Sequence, residues 1–317
     1  MSRKVRTGTR KRSNAVYIVP VLVLVTAVVG YYIFTQSTVT GGNSGLNGTP
    51  VPATVLNYLS GVSTSTLNQV GKGASGVSSP VPTTGSATPL TLNGKPEVLY
   101  LGAEYCPYCA AERWSMIVAL DKFGNFTGIQ YMQSSATDTL PSTPTFTFVN
   151  ANYTSKYISF VTIEQQDRNY NALQTATAAE TSLLNTYDPS GGIPFVDFAN
   201  SYVITAVQYS PAALRVGGIA TAAPYNWTQV APQLNNASSP IAQNVDGAAN
   251  GIISAICKID GGAPSSVCSQ SLVQTLSYTM PVPSGGSQLL VSDSALRGPE
   301  PSVAAARFAP SRPTGTA

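Results

Sequence analysis

Glu97-Val-Leu-Tyr-Leu-Gly-Ala-Glu-Tyr-Cys-Pro-Tyr-Cys-Ala-Ala-Glu-Arg-Trp114 is the stretch whose reading decides the fold. Its apolar run 98–101 has the composition of a buried strand and breaks at Gly102. A short loop then leads into Cys106-Pro107-Tyr108-Cys109. Beyond it Trp114, Ile117, Val118 and Leu120 recur mostly at spacings of three and four, a helical stripe that Phe123-Gly124 stops. This order puts Cys106 at a helix N-terminus, where unpaired N–H groups and the helix dipole favour a thiolate. Pro107 suits the first helical turn, because its φ is already helical and its missing N–H would have had no partner. The energetic need is modest. A thiol of pKa about 8.5 is only about 3% ionised at pH 7, and a fall of two units takes about 2.7 kcal/mol of preferential anion stabilisation. Free helix N–H groups and a hydrogen bond from Cys109 are of that order.

The chain of 317 residues is 43% hydrophobic, only 10% charged, and contains no histidine. That absence removes Ser-His-Asp and Cys-His catalysis and His-ligated zinc or haem. The net charge of +3 is unevenly placed. Of 17 positive residues, Arg3, Lys4, Arg6, Arg10, Lys11 and Arg12 form a basic tail over 1–14, and the 11 left face 14 acids. The remainder of the chain is therefore at −3, which speaks against a nucleic-acid partner. Residues 15–34 follow the tail as 20 positions without a charge. As a helix they reach about 30 Å, the thickness of a bilayer's hydrocarbon core. We read them as a transmembrane anchor with the N-terminus cytoplasmic and everything after residue 35 extracytoplasmic. A cleaved signal peptide is the competing reading, but no A-x-A-like site follows near 35–38.

Residues 35–52 are Gly/Thr/Asn/Ser-rich and read as a linker, 53–70 have weak helical spacing, and 71–89 read as loop. Asn93-Gly94 between apolar runs signals a hairpin into the 98–101 strand. A strand is expected near 128–134, then a hairpin of 145–149 with 157–163 turning through 150–155. Further expectations are a helix over 171–187, Gly191-Gly192-Ile193-Pro194-Phe195, a strand over 202–207, and helices near 227–234 and 241–259. Residues 281–317 are Pro/Gly/Ser/Ala-rich and read as a disordered tail. One α/β domain over 53–280 results. Asn47, Asn125, Asn152, Asn226 and Asn236 head sequons, a number that chance can supply in so Asn/Ser/Thr-rich a chain.

With Cys106-Pro107-Tyr108-Cys109 and Ile193-Pro194 located, the chain resembles the thioredoxin superfamily. There a C-x-x-C opens the first core helix, and a cis-proline beside the reactive cysteine precedes the next core strand. The whole pattern of anchor, Leu-Gly-Ala-Glu-Tyr-Cys-Pro-Tyr-Cys, Gly-Ile-Pro-Phe and a later cysteine pair is similar to archaeal membrane proteins classed as domain of unknown function 929. The resemblance implies a thioredoxin-like central sheet with flanking helices, to which the inserted hairpin and a C-terminal helical extension are added. It implies a thiol–disulfide oxidoreductase with Cys106 as nucleophile, Cys109 as resolving thiol and Pro194 as the cis-proline. Tyr105, Pro107, Tyr108 and Ile193 would meet the substrate, Ile193 through its open backbone. Exported protein thiols or disulfides and an unidentified redox partner are the implied partners, with no cofactor and no metal. One departure stands out. Many thioredoxins carry a buried acid six residues before the first cysteine, and here that position is Tyr100, leaving water or Glu104 to take the proton of Cys109.

Other readings stay open. Cys106 and Cys109 can form a structural disulfide, half of a four-cysteine zinc site with Cys257 and Cys268, or a metal carrier for Cu(I) or zinc. Pro194 can be a strand-edge proline, and Arg113 and Trp114 can line the site rim or belong to the core. Cys257 and Cys268 read as a structural disulfide in an oxidising compartment, with a second redox pair as alternative. The alternative for the whole is a redox-silent thioredoxin-like binding module. On the anchor reading, protease added outside intact cells should digest the domain and spare an N-terminal tag. A soluble mature chain beginning near residue 36 would show a cleaved signal instead.

Overall fold

The computed structural model of the chain describes residues 43–84 and 88–280. Its helices are α1 (Ala53–Ser60), α2 (Thr64–Val70), α3 (Pro107–Leu120), α4 (Ala178–Tyr187), α5 (Trp227–Val230), α6 (Pro240–Ile259), α7 (Ser265–Cys268) and α8 (Ser271–Thr279). The strands are β1 (Val81–Pro82), β2 (Thr91–Leu92), β3 (Lys95–Gly102), β4 (Gly124–Thr127) and β5 (Gln130–Gln133). They continue with β6 (Pro144–Thr147), β7 (Asn152–Ser155), β8 (Ser159–Glu164), β9 (Phe195–Phe198) and β10 (Tyr202–Ile204).

β3 is the centre. It pairs in parallel with β8, Glu97 opposite Ser159 through Gly102 opposite Glu164, and antiparallel with β9 on its other edge. β10 and then β1 continue the mixed sheet beyond β9, and the β2 hairpin joins the start of β3. Asn93 and Gly94 turn that hairpin at φ 54° and 74°, the paired positive values that a two-residue turn with this twist requires. Both faces of the sheet are covered, so β3 is apolar almost throughout, as strands buried on two sides are. Val98 and Tyr100 face the larger core with Val196 and Phe198, beneath α3 and α6. Leu99 and Leu101 face Ile163, Phe195, Val203 and Leu184 of α4. α3 lies between α6 and β6 and is buried at every residue except Tyr108, which explains why its sequence shows only a weak stripe.

Three expectations are corrected. The hairpin of 145–149 with 157–163 does not form. β6 pairs with β5, 152–155 is itself the strand β7 paired with β4, and β8 joins the central sheet beside β3. The helix expected from 171 starts at Ala178, where Thr177 and Glu180 form a capping box, because 165–174 is held as a loop by Asp167 and Gln165. The linker does not run to residue 52. Gly48 and Val51 donate to the Tyr131 and Ile129 carbonyls, and Val51 is buried. The expected helical stretch 53–70 is two helices, parted at Gly61 and restarted by the Ser63 cap. The anchor expected at 15–34 and the tail at 281–317 lie outside the described residues, among which no helix is long and apolar enough to cross a membrane.

The C-terminal helices close the core around α6. Cys257 at its end is bonded to Cys268 of α7, the Cα atoms 5.5 Å apart. The bond closes a short loop and so restricts the unfolded chain. Replacing both cysteines with Ala should lower the unfolding free energy by roughly 2–4 kcal/mol in a denaturant titration.

Candidate functional site

Cys106 ends the loop after β3 and is the N-cap of α3, with extended φ/ψ of −73° and 120°. Its sulfur accepts the Cys109 N–H at 3.2 Å, a position that oxygen side chains commonly take at helix starts. The Cys106 thiol also lies 3.8 Å from the Ile193 carbonyl, in position to donate to it. The Ile193–Pro194 peptide bond is cis and leads directly into β9. The fold therefore brings Cys106, Pro107, Cys109, Ile193 and Pro194 together at one end of β3, with Tyr105 and Tyr108 beside them in sequence.

The two thiols are unlike. A hydrogen bond from the Cys109 thiol is the main cause that lowers the pKa of Cys106, and burial opposes it. The Cys109 and Tyr108 backbone N–H groups and the Arg113 charge lower it further. Cys109 is pushed well up, first by burial and then by giving its hydrogen bond to Cys106. Cys106 is 3% exposed and Cys109 fully buried. Around the thiols stand Tyr105, half-buried with its ring 4.5 Å from that of Tyr170, and the exposed Tyr108 and Tyr170.

Beneath Cys109 lies a charge pair that the sequence did not disclose. Arg113, one turn further along α3, donates from Nε to Glu164 Oε1 at 2.8 Å and from Nη2 to Oε2 at 2.6 Å. Nη2 also donates to the Ala103 carbonyl at 2.8 Å, and both side chains are fully buried. Burial is the largest single influence and lowers the guanidinium's pKa, but the charge and hydrogen bond of Glu164 together with Tyr100 and Cys109 outweigh it, and Arg113 stays protonated. Its carbon Cζ sits 5.8 Å above the centre of the Tyr100 ring. That ring lies forward along β3 over Gly102, where a Cβ would come within 2.1 Å of the tyrosine oxygen, so glycine at 102 gives the ring its room. Burial holds Tyr100 well above its ordinary pKa, and at neutral pH it is no base. Glu104 is buried with its pKa raised by that burial, against the Thr147 hydroxyl and the Arg113 charge.

Arg113 and Trp114 are thus core residues and not rim residues: Trp114 donates from Nε1 to the Pro144 carbonyl at 2.8 Å inside the fold. Glu164 and Tyr170 are the site neighbours missed in the sequence. The usable signal for Glu164 was an acid inside the apolar strand of a chain only 10% charged, since a buried charge needs a partner. Cys257 and Cys268, bonded to each other, are not ligands beside Cys106. Among the described residues no group of three or more Cys, Asp or Glu could hold a metal ion.

The model of the family described as a domain of unknown function, DUF929, matches residues 82–192, a span that holds β3, both thiols, Arg113 and Glu164 and ends just before Ile193. No curated protein and no solved structure matches the chain.

On the far side of α3 another carboxyl is buried. Glu112 accepts the Gln208 N–H at 3.0 Å, yet burial pushes its pKa from 4.5 up to about 7. An acid whose pKa is raised on folding stabilises the fold most below its unfolded value. The contribution falls as pH rises from about 4.5 to about 7 and is gone above that. Glu112→Gln should therefore flatten the pH dependence, raising stability at pH 8 relative to pH 4 by on the order of 3 kcal/mol against the wild type. Denaturant titrations at the two pH values measure the difference.

Proposed function

We propose, for a chain whose residues 82–192 match the DUF929 family, a thiol–disulfide oxidoreductase of thioredoxin-like fold, anchored in a membrane by 15–34 and working on exported proteins. The observation that carries this reading is the asymmetry of the thiol pair. The first sulfur caps a helix beside a proline loop and favours the thiolate, while the second is buried and keeps its proton. A cysteine pair kept only for its bond has no need of that difference.

In the reaction proposed, the Cys106 thiolate attacks a substrate disulfide. One S–S bond forms, one breaks, and a substrate thiolate leaves. Cys109 then gives up its proton and attacks the Cys106 sulfur, which releases the second substrate thiol. The substrate has gained two electrons, and Cys106–Cys109 is a disulfide until a redox partner reduces it. The same steps run backwards oxidise a substrate dithiol. Where many thioredoxins have a buried acid, this chain has Tyr100. The buried Arg113 cation favours the Cys109 thiolate instead, a fixed charge that lowers the pKa without itself exchanging a proton. The ring pair Tyr105–Tyr170 and the exposed Tyr108 offer apolar surface to the residues around a substrate cysteine.

The small exposure of Cys106 favours a second reading, a redox-silent binding module with both cysteines structural. Single variants separate the two. On the oxidoreductase reading Cys109→Ala should trap substrate proteins on Cys106 as reducible adducts, and Cys106→Ala should trap almost none. Because the Cys109 thiol is the main cause of the lowered Cys106 pKa, ultraviolet titration should find the thiolate at lower pH in the reduced wild type than in Cys109→Ala. Slow, equal alkylation of both single variants with no adducts from either would establish the binding module.

A further inference from the structure

The five sequons of the chain are not equivalent once folded. The side-chain amide of Asn47 is buried. Asn226 caps α5, its Oδ1 accepting from the Gln229 N–H at 2.9 Å and the Thr228 hydroxyl at 2.7 Å. Asn236 is exposed but accepts the Ser238 N–H at 3.1 Å. Asn125 and Asn152 are both exposed, and among the described residues neither side chain makes a hydrogen bond.

These two share a single surface. Asn125-Phe126-Thr127 lies in β4 and Asn152-Tyr153-Thr154 in β7, and the antiparallel register sets Asn125 opposite Thr154 and Thr127 opposite Asn152. Side chains two apart in a strand point the same way, so the Asn and Thr of each sequon fall on one face. All four are exposed. The residues between them, Phe126 and Tyr153, turn inward with rings 4.8 Å apart and pack on the core, and the Tyr153 hydroxyl donates to the Leu120 carbonyl at 2.9 Å. The outer face of this ribbon is made of two interlocked sequons, anchored from behind by their own middle residues.

We propose that the β4–β7 ribbon is a double N-glycosylation site, with Asn125 and Asn152 each carrying an oligosaccharide on Nδ2. The proposal rests on the extracytoplasmic placement above and not on the thiol chemistry. The co-reactant is a lipid-phosphate-linked oligosaccharide brought by a membrane transferase. Nδ2 attacks the anomeric carbon, the new N–C bond replaces the C–O bond to the phosphate, the lipid phosphate leaves, and Nδ2 loses one proton. Nothing is oxidised or reduced. As diagonal cross-strand neighbours the two asparagines lie about 7–8 Å apart, so both glycans leave one patch. No charged side chain stands in either sequon, and the inward rings hold the patch against the core.

The test is glycopeptide mapping and intact mass of the full-length protein purified from its native cells. Glycans are expected at Asn125 and Asn152. Asn125→Gln and Asn152→Gln should each remove one glycan mass and leave the other. Thr127→Ala should strip Asn125 alone and Thr154→Ala should strip Asn152 alone, although each threonine lies opposite the other strand's asparagine. Thr127→Ser and Thr154→Ser should keep both. Bare asparagines at 125 and 152 overturn the proposal, and external protease on the same intact cells tells how much falls with it. A digested domain sinks the glycan site alone, whereas a protected domain sinks the extracytoplasmic placement too. Substrate trapping by Cys109→Ala reads the oxidoreductase separately.

Discussion

The buried Arg113–Glu164 pair is the interaction on which the site's geometry depends. Two parallel hydrogen bonds join α3 to the end of β8, and the third, from Nη2 to the Ala103 carbonyl, fixes the loop that carries Cys106. Glu164 stands opposite Gly102, the last residue of β3, so the pair closes the junction of strand, loop and helix. Taking both charges out of water is costly, and apolar residues of similar volume often serve stability as well. Breaking one side is another matter, at roughly 3–5 kcal/mol for an uncompensated buried charge. A pair kept at such a cost beside two thiols has an electrostatic effect that an apolar replacement would lack: the Arg113 charge lowers the pKa of both sulfurs.

The same burial explains the rest of the polar interior. α3 is enclosed by the sheet, β6 and α6, so even its charged positions turn inward: Arg113 finds Glu164, and Glu112 finds only the Gln208 N–H. Asp197 in β9 and Asp260 after α6 are likewise pushed by burial up to about 7. Each of these carboxyls stabilises the fold most below its unfolded pKa, and that contribution falls as pH rises toward about 7.

Much of this was legible in residues 97–114, because strand, glycine, cysteine cap and helix are local features. Cys106 as cap, Pro107 in the first turn and Asn93-Gly94 as hairpin follow from backbone preferences that tertiary contacts did not override. The errors have local causes as well. Residues 152–155 read as a turn because Asn152 and Thr154 face solvent in β7, and only its partner β4 makes it a strand. The helix at Ala178 was signalled by Thr177-x-x-Glu180, but the polar, Ala-rich stretch before it carries no stop. Glu164 could not be matched to Arg113 across 51 positions, since a parallel pairing of β3 and β8 is a long-range contact that no periodicity encodes.

The entry of the chain at residues 48–51 has a mechanical meaning. Gly48 and Val51 donate to the Tyr131 and Ile129 carbonyls, and Tyr131 donates back to Thr49, along the free edge of β5. Tension arriving through the N-terminal side of the chain loads these three hydrogen bonds before it reaches β3 or the thiols. They are only three and lie at an edge, so a pull is absorbed by peeling one segment off β5 while the end of the sheet that carries the thiols keeps its shape.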